Sequence, residues 1–287
     1  MFNLVLSIFF SSLIFVIFKL FKTYKIQTVY AIIVNYITAA GVGLIFAKGP
    51  LNISEIPNYS WFYGTILLGT LFIVVFNLMA RTSQELGVSV ASVATKMSFV
   101  LPVVFGVLVY SETLNIFKLV GILLAMGAVY LASIKTTHII ISSKSLVLPL
   151  LVFLGSGIID TSLKFAQAKH LSGSDYPLFS ATVFASAAFT GFIFIGVRSL
   201  KIPLKVNVKN ILGGIALGIP NYFSIYFLLR ALQDELLNSA SIFTINNVAI
   251  VLFSTLLGII LFKEKLSPKN WTGIVLAVIS ILMVSLM

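Results

Sequence analysis

Hydrophobic positions dominate this chain in long runs, and short polar segments separate one run from the next. A helix that crosses a bilayer needs about 20 predominantly apolar residues, and ten runs approach that length. The predicted spans are residues 3–20, 28–47, 61–80, 88–109, 117–133, 146–165, 177–197, 211–232, 239–262 and 270–287. Because the connections are short, successive spans are expected to run antiparallel across the membrane.

The composition agrees with a chain that lies in lipid. Of the 287 residues, 59% are hydrophobic and only 9% are charged, whereas a soluble domain carries about a quarter charged residues on its wetted surface. The sequence therefore predicts an all-α integral membrane protein that crosses the inner (cytoplasmic) membrane many times. Its expected partners are the lipid bilayer and a small-molecule solute.

Other classes of function find little support. The net charge is +11, but the basic residues lie in short connections between apolar runs, so nucleic-acid binding is not expected. There is no cysteine, no His and carboxylate set with metal-ligand spacing, and no glycine loop for phosphate, so no metal or cofactor is predicted. His170 and Asp175 have the spacing of an acyltransferase motif but no companion motif, which leaves a membrane enzyme as the disfavoured alternative.

Matched residues divide the chain into two repeats, residues 1–137 and 138–287. Residues 81–92 align with 230–241, and residues 112–133 align with 264–285, sharing Glu, Leu, Gly and Ala positions in the same order. In the same register Gly64 falls on Gly213, and Gly69 falls on Gly218. Five spans per repeat is an odd number, so the second repeat starts on the opposite membrane face. Ten transmembrane helices then form two inverted five-helix repeats around a central cavity, as in many secondary transporters.

A family resemblance rests on residues that occur once in each repeat. They are Glu112 with Gly121, Glu264 with Gly273, and Lys19 with Lys164, together with Pro102 in the fourth span. With these residues the chain resembles EamA-type transporters of the drug/metabolite transporter superfamily. The resemblance implies ten helices around a cavity, gradient-driven export or exchange of small metabolites without ATP hydrolysis, and cytoplasmic termini. The second repeat departs from the pattern because Val251 stands where the first has Pro102.

Two ionisable residues lie deep in predicted spans, where a charge costs roughly 3 kcal/mol. From a rise of 1.5 Å per residue, Lys96 lies about 12 Å and Asp160 about 21 Å from the same membrane face. Asp160 could bind a proton or a cationic group, and Lys96 an anionic group. Together they would hold a zwitterion such as an amino acid. The alternatives are a buried ion pair, or a Lys96 side chain that reaches back to the nearby face.

Amide and tyrosine side chains inside the spans form a second set of candidates for the solute pathway. They are Asn35, Tyr36, Asn77, Asn221, Tyr222, Tyr226 and Asn246. Amides in spans also bond neighbouring helices, at about 0.6 kcal/mol each, so both roles stay open. Small residues four apart, Gly121 with Ala125 and Gly273 with Ala277, predict that the fifth and tenth spans pack closely, on each other or on the bundle. Glu112 and Glu264 are expected to cap or pair at helix ends rather than to catalyse.

The function that these observations favour is a secondary transporter that exports or exchanges a small polar, amino-acid-like metabolite. Proton coupling through Asp160 is part of this hypothesis, and the protein would work as a monomer or a homodimer. The alternative within transport is a lipid-linked or nucleotide-sugar carrier. Most basic residues follow the odd-numbered spans, which predicts that both termini lie outside, whereas the resemblance places them in the cytoplasm.

Overall fold

The structure is a computed structural model that describes residues 2–46, 53–110, 116–133, 144–171, 175–200, 207–231 and 239–285. Over these residues all the regular structure is helical, as the sequence predicts. The α-helices are α1 (Phe2–Thr23), α2 (Thr28–Phe46), α3 (Phe62–Glu85), α4 (Val88–Met97), α5 (Val100–Tyr110), α6 (Ile116–Ser133), α7 (Lys144–His170), α8 (Tyr176–Ser199), α9 (Val208–Ala231), α10 (Ser239–Phe262) and α11 (Pro268–Ser285). A short 3-10 helix, Ile53–Asn58, precedes α3.

Seven helices in the described part of the chain are long and apolar enough to cross a membrane. They are α1, α2, α3, α7, α8, α9 and α10, and the remaining predicted spans fall on shorter apolar segments at Val88–Pro102, Leu119–Ala128 and Pro268–Met283. Large apolar side chains such as Leu67, Leu108 and Leu123 are exposed on the outer surface of the bundle. A contiguous surface of this kind needs lipid rather than water around it, so the chain is a multi-pass membrane protein.

The fourth predicted span differs from the expectation, because it forms two helices instead of one. α4 ends at Met97, a turn covers Ser98 and Phe99, and α5 begins at Val100. Pro102 has no N–H, and its ring would clash with the carbonyl of Ser98 four residues earlier in a continuous helix. The backbone instead makes a tighter bond, from Leu101 N to Ser98 O at 2.9 Å.

The two repeats pack into each other rather than side by side. α2 contacts α8 and α9, α3 contacts α7 and α8, and α1 contacts α9 and α10. Two matched glycines make these contacts possible. A Cβ built on Gly69 would lie 2.6 Å from Ala187 N in α8, and a Cβ built on Gly218 would lie 2.6 Å from Asn35 O in α2. Each repeat thus presents a glycine of its third span to the second span of the other.

Helices α6 and α11 pack against each other, which confirms one of the two arrangements predicted from their small residues. Ala125 and Ala277 are fully buried in this contact, and Ser280 Oγ donates to Gly121 O at 2.7 Å. Small side chains allow the two backbones to approach, so that a side-chain hydroxyl of one helix reaches a carbonyl of the other.

The two repeats differ in how tightly their own helices close together. In the first, α1 packs on α3 and α4; Ser83 Oγ donates to Phe15 O at 3.0 Å, and Gln84 Nε2 donates to Phe18 O at 3.1 Å. Over the described residues, the matching helices α7, α9 and α10 make no comparable contact with one another. The closed contact lies at the membrane face where α1, α3 and α10 end, here called the lysine-rich face.

Candidate functional site

The break between α4 and α5 brings a polar group of the first repeat to a carboxylate of the second. Ser98 Oγ donates to Asp160 Oδ2 of α7 at 3.1 Å. The two elements can approach because residue 157 is glycine. A Cβ at Gly157 would lie 2.8 Å from Leu101 Cβ and 2.9 Å from Ser98 O. Asp160 follows Gly157 by three residues, so both lie on the same side of α7.

Lys96 and Asp160 lie close to each other across this break. Their charges interact electrostatically, yet among the described side chains they form no ion pair within 4.0 Å. Asp160 is exposed although it lies well inside the long helix α7, and Lys96 is partly exposed. A carboxylate that faces lipid is costly, and the hydrogen bond from Ser98 offsets part of that cost.

The helix ends at the break favour the charges that the sequence places there. Lys96 stands in the last turn of α4, where unsatisfied carbonyl groups give the helix end a partial negative charge. Asp160 is bonded to Ser98, directly before the first turn of α5, where free N–H groups give a partial positive charge. Interrupted helices of this kind form solute and ion sites in many transporters.

Three of the predicted amide candidates connect helices in this structure. Asn221 Nδ2 of α9 donates to Asn35 Oδ1 of α2 at 3.1 Å. Ser7 Oγ of α1 lies 3.2 Å from Asn246 Oδ1 of α10 and 3.0 Å from Ser224 O of α9. All these side chains are buried. In this conformation the amides bond helix to helix, which is one of the two roles the sequence left open.

The remaining candidates occupy other positions in the bundle. Asn77 Nδ2 donates to Ile73 O within α3 at 2.7 Å, and Tyr226 OH accepts from Arg230 Nη2 at 3.1 Å. The hydroxyl groups of Tyr36 and Tyr222 are buried without a partner among the described residues. No hydrogen bond or ion pair in the described part of the chain joins these four candidates to Lys96 or Asp160.

Glu264 was predicted to cap a helix end or to pair there, and it does both with residues of the first repeat. Its carboxylate accepts from Val88 N at the start of α4 at 2.8 Å and lies 3.8 Å from Lys19 Nζ of α1. Sequence reasoning missed which helices supply these partners. The match of Lys19 and Glu264 to the family pattern was a signal, but only the fold shows that they meet. Glu112 lies outside the described residues.

Comparison with known proteins fits this architecture. The sequence profile of the EamA-like transporter family matches residues 1–134 and again residues 145–286. The chain belongs to the EamA-like transporter family. An uncharacterized protein of Haemophilus influenzae is 28% identical over 289 residues, which cover 98% of this chain and 96% of the relative. A solved crystal structure is similar over 99% of this chain and 96% of its own, with a TM-score of 0.60 and 15% identity, which shows a shared fold.

Membership in this family confirms the resemblance seen in the sequence. It identifies the chain as a membrane transporter of the drug/metabolite type and points away from an enzyme. His170, half of the acyltransferase-like spacing, lies with its Nδ1 3.2 Å from Ser60 Oγ. The solute and the mode of transport must be argued from the site itself.

Proposed function

We propose that this EamA-like protein is a secondary transporter that exports or exchanges a small zwitterionic metabolite, such as an amino acid, at the Lys96–Asp160 site. The observation that carries the proposal is the spacing of the two charges. They are close enough to interact but form no direct ion pair among the described contacts. A solute that carries both charges would satisfy both residues at once.

The roles of the two residues follow from their chemistry. The Lys96 ammonium would bind the solute carboxylate, and the Asp160 carboxylate would bind the solute amine, with Ser98 holding the carboxylate oriented. A solute that pairs with both charges offsets the free-energy cost of holding two unpaired charges in a low-dielectric region. Asp160 can also take up a proton when the amine leaves, which would couple solute movement to the proton gradient.

The proposal includes the architecture that transport of this kind needs. Ten spans in two inverted repeats would place the site near the middle of the bilayer, with access alternating between the two faces. The matched contacts of Gly69 with α8 and of Gly218 with α2 support this symmetry. The shorter apolar helices α4–α5, α6 and α11 would complete the ten spans.

We also propose an orientation in the inner membrane. Lys22, Lys25, Lys209, Lys263 and Lys269 all lie at the lysine-rich face of the described bundle. Basic connections stay on the cytoplasmic side during insertion, so this face would be cytoplasmic and both termini outside. A C-terminal alkaline phosphatase fusion should then be active and a C-terminal green fluorescent protein fusion dark; the reverse result would contradict the orientation.

Uptake into reconstituted vesicles tests the function, with a panel of labelled amino acids, amines and carboxylates. We expect Asp160→Asn and Lys96→Met each to lower amino-acid transport by about 100-fold, since each loses a charge-assisted contact worth about 1.5–3 kcal/mol. Glu85→Gln is the matched control, because Glu85 pairs with Arg81 on the exposed surface and should leave transport unchanged.

The double variant Lys96→Met/Asp160→Asn separates solute binding from a mutual ion pair. If the two charges only neutralise each other, removing both restores transport that either single change abolishes. If they bind the solute, the double variant stays as inactive as the single ones. Restored transport would contradict the proposed site, and an imposed proton gradient that leaves wild-type transport unchanged would contradict proton coupling.

A further inference from the structure

The Glu264 carboxylate is bound from several sides at the lysine-rich face. Oε1 accepts from Val88 N at 2.8 Å, and Oε2 accepts from Ser89 Oγ at 3.1 Å. Lys19 Nζ lies 3.8 Å from Oε1. Only 11% of the Glu264 side chain is exposed. A partly buried carboxylate with N–H, hydroxyl and ammonium partners makes hydrogen bonds roughly twice as strong as neutral ones.

Two glycines shape the space that holds this carboxylate. Gly87 precedes α4 with φ of 118°, a conformation that side chains rarely adopt, and a Cβ there would lie 2.9 Å from Glu264 Oε1. A Cβ on Gly258 of α10 would lie 2.7 Å from Oε2. The carboxylate therefore sits between two positions that no larger residue could occupy without displacing it.

These contacts join the two repeats at the face where the first repeat is closed. Glu264 belongs to the connection between α10 and α11, whereas Val88, Ser89 and Lys19 belong to α4 and α1. At the same face α1 is hydrogen-bonded to α3 through Ser83. Opening this face would have to separate α4 from α10–α11, and that separation would break the Glu264 contacts together with the apolar packing of α4 on α10.

We propose that Glu264 is the latch of the lysine-rich face, which holds α4 and α1 closed and must release Val88 and Ser89 before the Lys96–Asp160 site can open there. The same contact fixes the position of α4, whose last turn carries Lys96. The inference rests on the transport function proposed above, because a latch has meaning only for a site with alternating access. Its test measures accessibility and needs no knowledge of the solute.

The absence of cysteine from the sequence makes that measurement clean, since one introduced thiol is the sole label site. Ser83→Cys places a thiol in the closed contact between α1 and α3, where Ser83 is fully buried. Tyr24→Cys is the reference, because Tyr24 is 60% exposed at the same face. A membrane-impermeant maleimide applied to the lysine-rich face should label Tyr24→Cys fast and Ser83→Cys slowly.

Loss of the latch should change this labelling. With Glu264→Gln we expect Ser83→Cys to react about tenfold faster, because the charge-assisted bonds that favour the closed state are lost. Glu85→Gln, an exposed carboxylate at the same face, should leave the rate unchanged. Gly258→Ala should act like Glu264→Gln by displacing the carboxylate, and alanine favours the helix, so this variant keeps the test usable if Glu264→Gln folds poorly.

A second position distinguishes a latch from general loosening of the structure. Thr161→Cys lies next to Asp160 along α7, at a partly exposed position. If the latch sets which face is open, Glu264→Gln should lower the labelling of Thr161→Cys from the opposite face by a similar factor. Unchanged Ser83→Cys labelling in both latch variants would overturn the proposal, and so would faster labelling at both cysteines. Neither result depends on transport of a particular solute.

Discussion

The fourth span of the first repeat and its counterpart in the second have aligned sequences but different backbones. The first is broken between α4 and α5, four residues before Pro102, whereas α10 runs unbroken from Ser239 to Phe262 with Val251 at the matching position. The break supplies two free helix ends and the Ser98 hydroxyl that meets Asp160. The overall helix arrangement therefore follows from the repeat. The candidate site does not, because Pro102 breaks the fourth span in the first repeat alone.

The repeats also differ in how tightly their own helices pack together. In the first repeat α3 is hydrogen-bonded to α1, and Glu264 contacts both α4 and α1. Over the described residues, α7, α9 and α10 make no comparable contact with one another. The first repeat is therefore closed by contacts that the described part of the second repeat does not show. Closure is then a property of a few contacts between helices and not of the helices themselves.

The largest effect should come from moving the break into the second repeat. Val251→Pro would remove a backbone donor from the unbroken helix α10 and clash with an earlier carbonyl, at a cost of about 3 kcal/mol or more. Because total stability is about 5–15 kcal/mol, this is a large share of it, and we expect a clearly lower yield of folded protein than for wild type. Size-exclusion chromatography of the expressed protein measures this, with the buried Val251→Ala as the milder control. A well-folded Val251→Pro protein would mean that α10 also tolerates a break.

Removing the break from the first repeat should have a smaller effect on folding and a clear effect on function. Pro102→Ala lets α4 and α5 join into one helix, which moves Ser98 away from Asp160. We expect folded protein whose amino-acid transport falls about tenfold, in line with the loss of one hydrogen bond to a charged group. Vesicle uptake checks this expectation, and transport equal to wild type would show that the site does not need the break.

The smallest effects are expected for substitutions of the matched glycines, where the two repeats make the same kind of contact. Gly69→Ala and Gly218→Ala each place a methyl group against the backbone of the partner helix, so each should lower stability by about 1–3 kcal/mol. Gly64→Ala is the control, because no described atom lies within 4 Å of its Cβ position. Thermal unfolding in detergent gives the comparison. Very different losses for the two matched glycines would argue against the proposed symmetry.

The sequence predicted the structure best where the length of an apolar run determines whether a helix forms. Long apolar runs predicted the helices, and small residues predicted the close contact of α6 with α11, because both signals are local. The break at Ser98 was not predicted, since the apolar run continues through it and Pro102 was noted only as a family residue. The break arises because the Pro102 ring would clash with the carbonyl of Ser98, and a hydropathy pattern carries no information on such a clash.

Contacts between distant segments were harder to predict. Depth along the spans placed Lys96 and Asp160 about 9 Å apart along the membrane normal, which left open whether they interact. The fold shows that Gly157 lets α7 approach the break between α4 and α5 closely. Likewise Glu264 was predicted to cap or pair at a helix end, but the sequence did not show that this end is the start of α4, 176 residues earlier along the chain. Charged and amide residues in the spans mark candidate positions for a site, but their hydrogen-bonding partners depend on which helices pack next to each other.

The contact between α6 and α11 has a consequence for how such proteins diversify. It is built from alanines, glycines and the bond from Ser280 to Gly121, whereas Lys96 and Asp160 belong to other helices, α4 and α7. An ancestral carrier could therefore exchange residues along α4 and α7 to accept new solutes while this seam stayed the same. The helices that keep the scaffold together would then differ from the helices that set solute specificity, so each set could change without the other.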